Sequence, residues 1–141
     1  MYTRLTSNYG GDAFARFGAA CSLWNVFQAF LTPGQIRTQL STMPDGKAFF
    51  CFATTIPKGG RGFHTPRSVH AIGMGCDVEH AQAMVYSDGT DLRKLEAAVK
   101  IGVSCRLCER NDCAQRAFPK IGRELGVNPN IKGLSTFVPV R

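Results

Sequence analysis

The sequence predicts an α+β domain: a small antiparallel sheet with helices packed against it. Three observations predict it. Two runs that read as strands, 35–43 with Ile36 and Leu40 and 47–56 with Phe49-Phe50-Cys51-Phe52 at its centre, flank Pro44-Asp45-Gly46, which is turn chemistry for a hairpin. Upstream, Leu23, Phe27, Phe30 and Leu31 recur at helical spacing. Finally, 141 residues with 44% hydrophobic and 19% charged side chains suit one domain with a core of its own.

In chain order, residues 1–11 read as a loose lead ending in the turn Asn8-Tyr9-Gly10-Gly11. Asp12 caps a short helix carrying Phe14 and Phe17. The small run Gly18-Ala19-Ala20-Cys21 permits close approach of backbone to another helix or a bound group. Ser22 caps the main helix, which runs to about Leu31; Trp24 and Val26 widen its apolar face, and Thr32-Pro33-Gly34 stops it. The hairpin strands follow. Phe49-Phe50-Cys51-Phe52 is apolar on both faces, so the second strand should be central and covered on both sides.

Residues 57–68 read as a loop, with Lys58, Arg61 and Arg67 among glycines, a composition able to hold phosphate. Residues 69–75 form a third strand. Asp77 then caps a helix with Val78, Ala81 and Val85 on one face, which sets Cys76 beside a helix N-terminus where the dipole favours a thiolate. After a loop at 86–90, a short helix covers 91–98, and an edge strand over 99–103 delivers Ser104 and Cys105. Beyond Cys113 the chain reads as helical, with a break before Pro119. A second helix starting at Pro119 turns Ile121 and Leu125 inward and ends at Gly126, and 127–141 form a tail.

The chemistry concentrates in Cys105-Arg-Leu-Cys108-Glu-Arg-Asn-Asp-Cys113. A C-x2-C step lets two sulfurs bind one metal centre, and a third cysteine five residues on encloses more of it. Both zinc and iron–sulfur clusters take thiolates in such arrangements. No His or Cys follows Cys113, so the last ligand comes from upstream, which favours a cluster built into a fold over a self-contained zinc module. Arg106, Arg110 and Arg116 surround the cysteines, and positive neighbours favour thiolate ligation. His80, four residues after Cys76, reads as a surface residue. A cysteine enzyme built on Cys51 or Cys76 finds no local support, since no nucleophile pattern surrounds either.

Net charge is +7, which suits an anionic cofactor, a phosphate-bearing ligand or nucleic acid. No helix carries a continuous Lys/Arg stripe and no helix-turn-helix pattern is present, which argues against direct sequence-specific DNA binding by this chain alone and against a DNA-binding domain within it. The N-terminus lacks an apolar signal core and no run of about 18 apolar residues occurs, so the expected compartment is the reducing cytoplasm, with no membrane partner. Clustered cysteines there are more often metal ligands than disulfides. The aromatic group around Trp24 suits a core and would also suit an acyl pocket.

These stretches resemble one family. The matching segments are Gly18-Ala-Ala-Cys21-Ser-Leu-Trp24-Asn-Val-Phe-Gln-Ala-Phe30, Met43-Pro-Asp-Gly46, Ala71-Ile-Gly-Met-Gly-Cys76-Asp77, Val85-Tyr-Ser-Asp-Gly89-Thr-Asp-Leu92 and, most specific, Ile101 through Pro119. The chain is similar to the C-terminal effector domain of the short-chain fatty acyl regulators, bacterial transcription factors of propionate and glyoxylate metabolism. In that family a helix-turn-helix and a middle metallopeptidase-like domain precede this one, so the resemblance implies that DNA is reached through a separate domain or partner chain. It implies an iron–sulfur cluster, with zinc as the alternative, on Cys105, Cys108, Cys113 and either Cys76 or Cys21. It also implies sensing of CoA or an acyl-CoA, with Arg61, Arg67, Arg106, Arg110 and Arg116 on phosphates and Trp24 by the acyl part. Ser22 departs from the family, which usually has proline there. The whole of 1–141 is then one effector domain, with a fold in the manner of PAS or GAF sensors, no enzymatic activity, and a homodimer as a further expected assembly.

Overall fold

A computed structural model describes residues 21–60, 62–123 and 130. The expected lead, the helix after Asp12, Leu125 and the tail lie outside the described residues. The fold is α+β, as the sequence predicts. Its frame is a sheet of β1 (Arg37–Thr42), β2 (Ala48–Gly59), β3 (Arg67–Asp77) and β4 (Val99–Lys100), in the order β3-β2-β1-β4.

The β1–β2 hairpin forms where Pro44-Asp45-Gly46 predicts it. Gly46 N–H donates to the Met43 carbonyl (3.0 Å), Lys47 N–H to Asp45 Oδ1 (3.1 Å), and Gly46 has φ +87°, which a side chain would strain. The strands pair antiparallel from Arg37↔Ala53 to Thr42↔Ala48. β2 is central as expected, and Phe50 on it is fully buried, a contribution of about 1.5–3 kcal/mol.

The β2–β3 pairing is longer than the sequence suggests, running antiparallel from Phe49↔Asp77 to Gly59↔Arg67. Both ends of the expected loop at 57–68, residues 57–59 and 67–68, are therefore ladder, and the turn is confined to its centre. β4 departs from the expected antiparallel sheet: it pairs parallel to β1 (Ser41↔Val99, Thr42↔Lys100), and Ile101 N–H extends the contact to the Thr42 carbonyl (3.0 Å). The sheet is mixed because the chain crosses over β2 and β3 before returning to β1.

The helices are shorter than periodicity predicts. Helix α1 is Asn25–Gln28, followed by a 3-10 turn at Ala29–Leu31. It starts late because residues 21–24 are committed elsewhere: Cys21 N–H donates to the Val103 carbonyl (3.2 Å) and Ser22 Oγ to the Gln115 carbonyl (3.0 Å), so Ser22 is no cap. α1 lies across the sheet face that carries Ala53, Ala71 and Gly73. Val26 and Ala29 pack on Ala53, with Trp24, Phe27 and Ala71 around them. A Cβ on Gly73 would come within 2.4 Å of Val26 Cγ1, so this seat requires glycine. Polar ties fix the orientation: Asn25 Nδ2 donates to the Arg37 carbonyl (3.3 Å) and Gln39 Nε2 to the Leu23 carbonyl (3.1 Å).

On the opposite face the expected helix after Asp77 is two 3-10 turns, Val78–Ala83 and Val85–Ser87. Asp77 is still extended because it pairs with Phe49, and its side chain makes no cap bond. This segment covers Phe52, whose ring lies 4.7 Å from that of Tyr86. The expected helix at 91–98 is a single turn, Leu95–Ala97. No helix follows Cys113 among the described residues; that stretch runs in turns pinned by Arg116, and Ile121 is 63% exposed rather than inward.

Candidate metal centre

β4 leads straight into the cysteine loop. Ile101 and Gly102 are buried, and Ser104 then organises the C-x2-C step. Its carbonyl accepts from the N–H groups of Leu107 (3.2 Å) and Cys108 (2.9 Å), and its Oγ from Arg106 N–H (3.3 Å). The backbone curls, which is what lets Cys105 and Cys108 serve one centre. Gly102 faces the loop closely, since a Cβ there would lie 2.9 Å from Cys108 Sγ.

Two arginines fasten the loop. The Arg116 guanidinium is 5% exposed and donates to the carbonyls of Cys105 (2.7 Å), Cys108 (3.3 Å) and Arg110. Arg110 in turn donates to the carbonyls of Ile101 (3.2 Å) and Thr42 (3.0 Å), tying the loop to the β1–β4 edge. Arg106 is exposed, 5.2 Å above the Phe118 ring, and its carbonyl accepts from Ile121 N–H (3.0 Å).

Cys21 joins the trio. Its backbone is zipped to Val103, and Trp24 clamps the same strip, donating from Nε1 to the Gly102 carbonyl (3.0 Å). The result is one small pocket lined by Cys21, Cys105, Cys108 and Cys113 together with Lys100, Arg110 and Arg116. Burial pushes the Cys21 thiol up; backbone contacts at Leu23 and Gly102 oppose this, and charge at Cys105 and Cys113 adds to it. Among the described residues no three His, Cys, Asp or Glu side chains are grouped so as to hold a single metal ion.

Cys76 lies elsewhere. It sits on β3, opposite Phe50, with its Sγ 3.1 Å from Met84 Sδ. The expected helix dipole is absent, and its thiol is raised, by desolvation first and Asp77 second. Cys51 is buried on the α1 face, pushed up to about 11 by burial, with Cys76 adding. A nucleophilic thiol needs a lowered pKa, so neither cysteine has the character of one. His80 is exposed in the turn after Cys76. No disulfide joins any of the six cysteines.

Of the side chains expected at a ligand, Arg110 and Arg116 meet at the cavity and Trp24 braces it, whereas Arg67 stands at the far end of β3 and Arg61 lies outside the described residues. Lys100 was not foreseen; its position next to the cysteine loop on β4 was the available signal.

The chain matches the family described as short-chain fatty acyl coenzyme A regulator, C-terminal, over residues 3–137. A propionyl-CoA carboxylase regulator of Cereibacter sphaeroides is 47% identical over 121 residues, covering 86% of this chain and 26% of its own length. Two HTH-type transcriptional regulators of Mycobacterium tuberculosis are also similar: RamB at 40% over 130 residues (91% and 27%) and PrpR at 43% over 117 (83% and 24%). A solved structure of a Mycobacterium tuberculosis transcriptional regulator superposes with TM-score 0.76 at 41% identity, covering 85% of this chain and 36% of that one. The chain spans about a quarter of the length of the curated relatives it matches. Among the described residues no helix is long and apolar enough to cross a membrane. By the extent of the family match, this chain belongs to the short-chain fatty acyl coenzyme A regulators and represents their C-terminal domain.

Proposed function

We propose that this domain is the iron–sulfur-bearing sensory end of a cytoplasmic transcriptional regulator of short-chain fatty acyl metabolism, with Cys21, Cys105, Cys108 and Cys113 as ligands. The observation that carries this is the cavity on which a buried N-terminal cysteine meets the late trio. The donor chemistry fits. Four thiolates are anionic together, and Lys100, Arg110 and Arg116 line the same wall. Zinc draws its sulfurs to about 2.3 Å of one point, a convergence absent among the described residues. A cluster spreads its thiolates over several iron atoms and does not require such a single point. When bound, the cluster supplies a redox-active centre whose potential depends on hydrogen bonds and exposure around its sulfurs.

The chain's own residues relay a change at that loop. Arg116 holds three loop carbonyls, and Trp24 with the Cys21 backbone joins the loop to α1 and the sheet. A rearrangement of the loop therefore moves the helix seat, and a signal that binds the two arrangements unequally shifts their populations. The regulator as a whole senses CoA or a short-chain acyl-CoA. The pocket among the four cysteines is too small for an acyl-CoA, so the acyl-CoA seat lies outside it. Exposed Arg106 and the Trp24 ring are the contacts assigned to it here. DNA is engaged through a separate domain or partner chain, in a dimer.

Anaerobic purification with an absorption spectrum and metal analysis on one sample tests the reading. Brown protein with iron and sulfide in step is expected. Colourless protein with about one zinc per chain, unfolding on chelation, would replace the sensor with a structural zinc module.

A further inference from the structure

Beyond Thr55 the β2–β3 hairpin leaves the body of the domain. β1 pairs with β2 only to Ala53, and Thr55 is the last buried residue, its Oγ1 accepting from Gly34 N–H (2.9 Å). Every described residue from Ile56 to His70 is exposed, yet Ile56–Gly59 remains paired with Arg67–His70. Four paired residues at about 3.3 Å each carry the ribbon roughly 13 Å outward before it turns. This end of β2 is also the one remote from the cysteines: Ala48, at the other end, pairs with Thr42, whose carbonyl receives Arg110.

The arm has one sign of charge. From Ile56 to His70 there is no Asp or Glu, while Lys58, Arg61 and Arg67 all fall there. The register sets Lys58 on one face of the ribbon, with Ser68, and Arg67 on the other, with Gly59. At the turn Phe63 is 94% exposed, edge-on to His64 at 5.1 Å. A two-stranded ribbon with cations on both faces and an apolar tip has a specific fit. The major groove of DNA, about 12 Å wide, admits such a ribbon, presents phosphates on both sides, and offers thymine methyls on its floor.

We propose that this arm enters the major groove of duplex DNA, with Lys58 and Arg67 on the two phosphate backbones and Phe63 against base edges. It adds a contact to the regulator's separate DNA-binding domain. The inference rests on the regulator reading above but not on the cluster.

The test is fluorescence anisotropy of a labelled duplex of about two helical turns, titrated with the metal-loaded 141-residue chain at roughly 50 and 200 mM salt. The variant Lys58→Glu/Arg67→Glu should lose about tenfold or more in affinity, with the slope of log K against log salt reduced by about two. Phe63→Ser should weaken binding without changing that slope. Arg93→Glu/Lys94→Glu, exposed and outside the arm, makes the same change in net charge and should leave affinity within about twofold. Unchanged iron content and thermal midpoint certify folding of each variant. Equal losses in the two double variants would overturn the proposal, as would retained affinity in the arm variant. So would a wild-type chain that binds vesicles of anionic lipid, or free CoA, but no duplex. If metal analysis shows no iron while the arm variant still loses DNA, the arm stands and the cluster reading falls alone.

Discussion

Arg116 shows how one side chain fixes a ligand loop. Its planar fork reaches the carbonyls of Cys105, Cys108 and Arg110 at once, an arrangement that a lysine's point charge does not reproduce. Arg116→Met strands buried acceptors at about 1–3 kcal/mol each. Urea denaturation should show a loss of at least about 3 kcal/mol, and iron retention should fall; Arg116→Lys should lie between. The sequence marks Arg116 as a cation among cysteines. It does not mark it as a backbone clamp, because bonds to carbonyls leave no pattern in side-chain identity. Cys51 gives a second prediction. Its thiol is pushed up by burial from 9.0 to about 11, so the folded state resists its ionisation. A raised pKa contributes stability below the unfolded value and loses it as pH climbs through the folded one. Metal-free protein should therefore keep a constant denaturation midpoint up to about pH 9 and lose stability toward pH 11. Cys51→Ala should flatten that decline.

The elements differ in how far local sequence determines them. The β1–β2 hairpin was legible because its turn demands Pro-Asp-Gly chemistry. The parallel partner β4 was not, since two residues pairing across a long crossover carry no local signature. Helical spacing over 22–31 located α1 but overstated its length, because Cys21 and Ser22 spend their hydrogen bonds on distant segments. The same override shortened the helix after Asp77, where strand pairing wins. Glycine at position 73 is the element-level constraint that seats α1. Gly73→Ala forces Val26 away and should cost about 1–3 kcal/mol in chemical denaturation. Adding Val26→Ala should restore part of that loss, since the two sites share one contact. A loss that is merely additive would mean that the methyl is accommodated elsewhere.

At the scale of the molecule, the sheet separates two working ends. The cysteine cavity sits beside the β1–β4 edge, and the cationic arm projects from the opposite end of β2. The C-x2-C-x4-C trio is visible in the spacing alone, whereas which of Cys21 and Cys76 lies beside it is not. Both lie in segments that resemble the family, and only the zipper of Cys21 onto Val103 brings one of them to the cavity. The most direct measurement is iron and sulfide content of anaerobically prepared wild type, Cys21→Ser and Cys76→Ser, read beside the visible spectrum. The account predicts that wild type and Cys76→Ser are alike and that Cys21→Ser loses most of its iron and colour. A cluster retained in Cys21→Ser and lost in Cys76→Ser would contradict it.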